Sequence, residues 1–185
     1  MNKKLLIAPI LLSSMLLMGA KNVSHEDEIF DENNISLSFF AFSDSHIGFG
    51  DNDILLHRAL KKVKDEYRVD AIIGTGDFTQ DGKEEQVQQF KTIYKKYFSL
   101  DATPLVMCYG NHDTYWTNSM SRSEFYDALG REVFLGDEED EATARLGNRH
   151  RIINGYHFLC VEMSSYAVGG NVLNDTTRNW LVSNL

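Results

Sequence analysis

Basic clusters are missing from this chain. Its 18 Lys and Arg residues are outnumbered by 27 Asp and Glu, for a net charge of −9. The longest basic groups are the pairs Lys61–Lys62 and Lys95–Lys96, which fall on predicted helix faces and read as solvated surface. A binder of nucleic-acid polymers needs Lys and Arg gathered along one face to displace counterions, so no nucleic-acid partner is expected. Cysteine is also scarce, with only Cys108 and Cys160. Neither has a CxxC partner or a metal-ligand spacing, which argues against thiolate-held metals. Both lie in apolar, strand-like runs, where a free thiol packs as a small hydrophobe. The expectation is two unbridged thiols. What is present is enough for a core: 43% of the 185 residues are hydrophobic, a size and composition suited to one domain.

The first twenty residues, "MNKKLLIAPILLSSMLLMGA", have the layout of a secretory signal peptide: two lysines, an apolar stretch from Leu5 to Met18, then Gly19–Ala20. The apolar stretch falls short of the ~20 residues of a comfortable membrane span. Residues 1–20 are therefore expected to be removed on export, leaving no stable span, in a periplasmic or extracellular protein; the alternative is an N-terminal membrane anchor. Residues 21–35, "KNVSHEDEIFDENNI", are polar and acidic and read as a flexible lead-in. The folded domain is expected over 36–185.

Within that domain, strand and helix signals alternate. "ISLSFFAFSDSH" (35–46) is β-prone and ends in polar residues. In 52–67, Leu56, Leu60, Val63 and Tyr67 form the stripe of an amphipathic helix, with Asn52 or Asp53 placed to cap it. "VDAIIGTGD" (69–77) is a second strand. Val87, Phe90, Tyr94 and Tyr97 form the stripe of a second helix over 83–98. "LVMCYGNHD" follows Pro104 as a third strand. Strand, helix, strand, helix, strand predicts an α/β fold with right-handed crossovers and a parallel sheet.

Each strand ends in chemistry. Asp44 to Asp77 spans 33 residues and Asp77 to Asn111 spans 34, about one strand-plus-crossover unit each time. Ligands of open α/β sheets sit beyond the carboxyl ends of the strands. That places Asp44, His46, Asp77, Asn111 and His112 in one crevice. Asp44 and His46 are two apart and project to the same side if the strand continues. Carboxylate, imidazole and amide oxygen suit Mn, Fe, Zn or a similar divalent ion. A lone DxH or Gly–Asp is weak, and each alone is more often a turn. The ordered trio is the signal.

Asp44–Ser45–His46, Gly76–Asp77 and Gly110–Asn111–His112–Asp113 resemble the DxH, GD and GNH[DE] motifs of the calcineurin-like metallophosphoesterases. The resemblance runs from about residue 37 to about 185. It implies a four-layer αββα sandwich with mixed sheets and a hydrolase of phosphate esters working with two divalent metal ions. By the same resemblance Asp44 and His46 hold the first metal, Asp77 bridges both, and Asn111 holds the second. His112 contacts the phosphate or protonates the leaving group, and Asp113 orients His112. The implied substrate is a small phosphomonoester or phosphodiester.

The family pattern continues with a Gly–His and a Gly–His–x–His, and these are absent. Only His150 and His157 follow His112, neither after a glycine. Both read as structural, His157 near the core and His150 on the surface. "NDTTRNWLVSNL" (174–185) resembles the helix that precedes the absent motifs, with Asp175 or Thr176 as its cap and Trp180 and Leu181 facing the core. The domain is thus expected to be incomplete at its C-terminus, with a sheet edge uncovered, weak metal binding and feeble hydrolysis. Tyr115 and Trp116 either pack their loop or wall the substrate site. Two other readings stand beside the enzyme: a metal-binding pseudoenzyme module, and a structural α/β domain with coincidental motifs.

Overall fold

Helical and strand periodicities set the layers. The computed structural model describes residues 35–115, 117–130, 141–163 and 175–185. The expected signal peptide and, apart from Ile35, the acidic lead-in lie outside them, as does Trp116. No helix among the described residues is long and apolar enough to cross a membrane.

Strand β1 (Phe39–Phe42), helix α1 (Asn52–Glu66), strand β2 (Ala71–Gly74), helix α2 (Glu84–Tyr97) and strand β3 (Leu105–Met107) follow in the predicted order. They are succeeded by α3 (Asn111–Thr114), α4 (Arg122–Leu129), α5 (Glu141–Leu146), β4 (Arg149–Ile153), β5 (Tyr156–Cys160) and α6 (Asp175–Ser183). The protein is α/β. Strands β1, β2 and β3 form a parallel sheet in that order, and β4 and β5 an antiparallel hairpin.

Side chains of successive strand residues leave opposite faces of the sheet. Ile72, Leu105 and Met107 therefore pack with Leu56, Leu60 and Val63 of α1 and Val87, Phe90, Ile93 and Tyr94 of α2. The alternate residues Ala71, Ile73, Val106 and Cys108 pack with Ile153, Phe158 and Cys160 of the hairpin. Helix α6 is tied to β4 and the residue before it through Asn148–Thr177 (3.2 Å) and His150–Asn184 (2.9 Å). The order is helices, parallel sheet, hairpin, helix.

Several local expectations are corrected. The N-cap of α1 is Asp51, not Asn52 or Asp53, and no side chain caps it. Tyr67 ends that helix in an extended conformation and is exposed, because the helix stops one residue before its stripe does. Tyr97 is half-buried, while Ile93 completes the buried face of α2. On α6 the buried residue is Thr177; Trp180 and Leu181 are half-buried. The histidine placement reverses: His150 is 4% exposed and His157 half-buried. The two share a ladder face, Nε2 of His150 lying 2.7 Å from Nδ1 of His157. Cys108 and Cys160 are both free thiols, one beside the other.

Candidate metal centre

The three motifs lie just past the ends of β1, β2 and β3, but not on regular strand. Beyond β1 the expected extension through Asp44 and His46 fails. Both residues, and Asp77 after β2, take left-handed backbone angles, with φ of 55°, 40° and 53°. Such angles are costly for any residue with a Cβ, and they cluster where surrounding structure holds the chain for a purpose. Here hydrogen bonds hold it. Asp44 N donates to Gly76 O (3.1 Å), His46 N to Asp77 O (2.9 Å) and Ile47 N to Phe78 O (2.8 Å), while Gln80 N returns to Ile47 O (3.0 Å). The loops after β1 and β2 are thus laced together.

The loops after β2 and β3 meet glycine to glycine. A Cβ on Gly76 would stand 2.8 Å from the Gly110 Cα, and one on Gly110 would stand 2.0 Å from Asp77 Oδ1. Neither position has room for a side chain. The close approach lets Asp77 Oδ1 accept a hydrogen bond from the His112 backbone N–H at 2.9 Å. Behind this contact Asp113 is fully buried. Its Oδ1 accepts from both the N–H and the hydroxyl of Thr79 (2.9 Å each), and its Oδ2 accepts from Gly110 N–H (2.9 Å). Burial nonetheless pushes its carboxyl up from the ordinary 3.8 to about 6.

This corrects the role expected of Asp113. Its carboxylate pins the GNHD turn to the loop after β2 rather than orienting the neighbouring imidazole. The orienting contact is a backbone one: His112 Nδ1 lies 2.7 Å from the Gln80 carbonyl. A carbonyl can only accept, so Nδ1 carries the proton. Thr79 and Gln80 are the residues that motif reading missed. Nothing in their residue types marks them, since one acts through its backbone and both gain their partners only by folding.

The side chains converge as follows. Donor atoms of His46, Asp77 and His112 lie within 4.8 Å of one another. The His46 and His112 rings meet edge to face, with centroids 4.6 Å apart. His46 Nε2 is 3.7 Å from Asp44 Oδ1 and 4.0 Å from Asp77 Oδ2. These are not hydrogen bonds. They do fall inside ~4.2 Å, the largest separation of two donors that share an ion at ~2.1 Å. Asp44 is the outlying member: its side chain is 64% exposed, against 21% for His46 and 16% for Asp77. Asn111 opens α3 and is half-buried. His46 Nδ1 is buried without a hydrogen-bond partner, so no hydrogen bond at that nitrogen sets the direction of the ring. Oxygen and nitrogen donors of this kind, held this close at the end of a parallel sheet, fit a hard or borderline divalent cation.

The fold and the site define an α/β protein with a candidate metal-ligand cluster at the carboxyl end of its parallel sheet. The model of the calcineurin-like phosphoesterases matches residues 37–183, and the chain belongs to that family. At the level of the family this means metal-dependent hydrolysis of phosphoesters. A search of the curated proteins found no match.

Proposed function

We propose that this chain hydrolyses small phosphate esters, monoesters or diesters, with a pair of divalent metal ions. Asp44, His46 and Asp77 would hold one ion, and Asp77 and Asn111 the other, with Asp77 as the bridge. Such ions, when bound, supply positive charge to the phosphoryl oxygens and make water a stronger nucleophile at neutral pH. The observation that carries the reading is the convergence of His46, Asp77 and His112 on two laced loops and one glycine-packed turn.

The chain's own groups then have distinct tasks. His112 Nδ1–H is committed to the Gln80 carbonyl. In the doubly protonated ring, Nε2–H would contact the phosphate or give its proton to the leaving oxygen, leaving the neutral Nδ1–H imidazole, a step that contributes ~10²–10⁴-fold when the donor is well placed. Asp77 steadies the same residue from its backbone N–H. Asp113 holds the turn and does not meet the substrate. Asn111 contributes a neutral oxygen, which limits negative charge beside an anionic ester. With three proposed protein ligands for one ion and two for the other among the described residues, turnover is expected to be slow.

Titration of the chain with Mn²⁺, followed by assay on p-nitrophenyl phosphate and its bis-ester, tests this. Binding with measurable release of nitrophenol is expected, and Asp77→Ala should abolish both. Tight binding of two ions by Asp77→Ala would refute the bridge. Binding without any turnover would favour the non-catalytic metal-binding module.

A further inference from the structure

We infer that Gln86, on the first turn of α2, is a positioning residue for His112. It lies outside all three motifs. Its side chain is buried, 7% exposed. Oε1 accepts from Asp81 N–H at 2.9 Å and from Lys83 N–H at 3.5 Å, and Nε2 donates to Asp81 Oδ2 at 3.0 Å. One amide therefore closes the turn that follows Gln80. A polar side chain spending both ends on one turn fixes its backbone, because breaking either contact leaves a polar group of that turn or of the buried amide unmatched.

The other flank of the same amide rests on the loop after β1. A Cβ on Gly48 would stand 2.2 Å from Gln86 Nε2. Gly48 follows His46 by two residues and has a φ of 102°, so it accepts the amide only because it is glycine. Gln86 is thus wedged between the loop that carries His46 and the loop that carries the Gln80 carbonyl. That carbonyl is joined to the first loop through Gln80 N–H to Ile47 O at 3.0 Å, and it holds the His112 ring at 2.7 Å. The line of action runs from Gln86 to the Asp81–Lys83 turn, to the Gln80 carbonyl, to the tautomer and tilt of His112. Gln86 touches neither the ring nor the donor cluster.

The kinetic part of this inference rests on the proposed hydrolysis; the part concerning the His112 ring does not. The tests are Gln86→Leu, which keeps the bulk and removes both contacts, and Asp81→Asn combined with Gln86→Glu, which exchanges donor for acceptor across the pair. Imidazole ¹⁵N spectra of the metal-free chain read the His112 ring directly. A single Nδ1–H tautomer is expected in the native chain, a tautomer mixture in Gln86→Leu, and recovery of the single form in the exchanged pair. In the hydrolysis assay Gln86→Leu should lower kcat about tenfold, part of the ~10²–10⁴-fold available from a placed proton donor, with KM and Mn²⁺ affinity within twofold. Unchanged His112 signals in Gln86→Leu overturn the inference, as does a failure of the exchanged pair to restore them. If Gln86→Leu does not fold, the spectrum of the exchanged pair decides: native signals sustain the inference and a mixture overturns it. If the native chain shows no hydrolysis, the proposed function fails while the ring spectra still decide the role of Gln86.

Discussion

Gly110 is packed against Asp77 so closely that a methyl group in place of its hydrogen would lie 2.0 Å from the carboxylate Oδ1 and 2.2 Å from the Asp77 nitrogen. The GNHD turn therefore begins with glycine because of the carboxylate it must approach. The contact brings the His112 N–H to Asp77 and sets the distance between the second and third motifs.

Gly110→Ala should separate them. Overpacking of this kind costs about 1–3 kcal/mol, measurable by urea unfolding. The larger expected effect is on the site: displacement of Asp77 should weaken Mn²⁺ binding at least tenfold. Native metal affinity in that variant would show that the glycine contact does not place the carboxylate.

Asp44 allows backbone and side chain to be separated. Its φ of 55° is left-handed, and its side chain is 64% exposed. Asp44→Gly should leave stability within about 0.5 kcal/mol, since relief of the backbone is offset by the extra freedom of the unfolded chain. Asp44→Val should cost about 1–2 kcal/mol, because a Cβ-branched residue is poorly tolerated at that angle. Both should weaken metal binding equally if the carboxylate is a ligand. Equal stability of the two variants would mean that the loop relaxes out of its left-handed form.

The sequence made the frame of this fold legible and left its fine positioning hidden. The buried face of α1 follows from Leu56, Leu60 and Val63, and that of α2 from Val87, Phe90 and Tyr94, because a helical stripe depends only on spacing along the chain. The strand order followed from alternation alone. The DxH, GD and GNHD residues stood out because their types are chemically unusual at strand ends. The left-handed kinks at Asp44, His46 and Asp77 were not legible, since a kink depends on bonds from another loop. Nor was the real partner of Asp113, a threonine 34 positions away. His150 was misplaced for the same reason: it packs with His157 and with Asn184 just past α6, neither of which its own neighbours announce.

That histidine pair should matter to the C-terminal helix. The Asn184 side-chain carbonyl can only accept, so His150 Nδ1 donates to it at 2.9 Å and His150 Nε2 accepts from His157 at 2.7 Å. His150→Ala removes both contacts and leaves half-buried groups on His157 and Asn184 unmatched, at a cost of about 1 kcal/mol. The loss should be local. Amide hydrogen exchange in α6 should quicken several-fold while α1 and α2 keep their protection. Uniform quickening across the chain would show instead that the pair supports the whole domain.

Asp113 gives a test in pH. Burial raises its folded value from 3.8 to about 6. A group that binds its proton more tightly when folded stabilises the protein fully below its unfolded value, and that contribution is lost as pH rises through the folded value. The window is therefore between about pH 4 and about pH 6, and stability from this group falls as pH increases across it. At ~1.4 kcal/mol per pH unit, the loss is roughly 3 kcal/mol at most. Asp113→Asn cannot titrate, and its amide N–H₂ must face Thr79 or Gly110 donors that the carboxylate now satisfies, so it should be less stable by about 1–3 kcal/mol even above the window. Urea unfolding of both proteins in chelator, at steps across the window, isolates the effect as the difference between them. The native advantage over Asp113→Asn should shrink as pH rises and then level off. A difference that stays constant, or grows with pH, would show that the three hydrogen bonds on the carboxylate outweigh its burial.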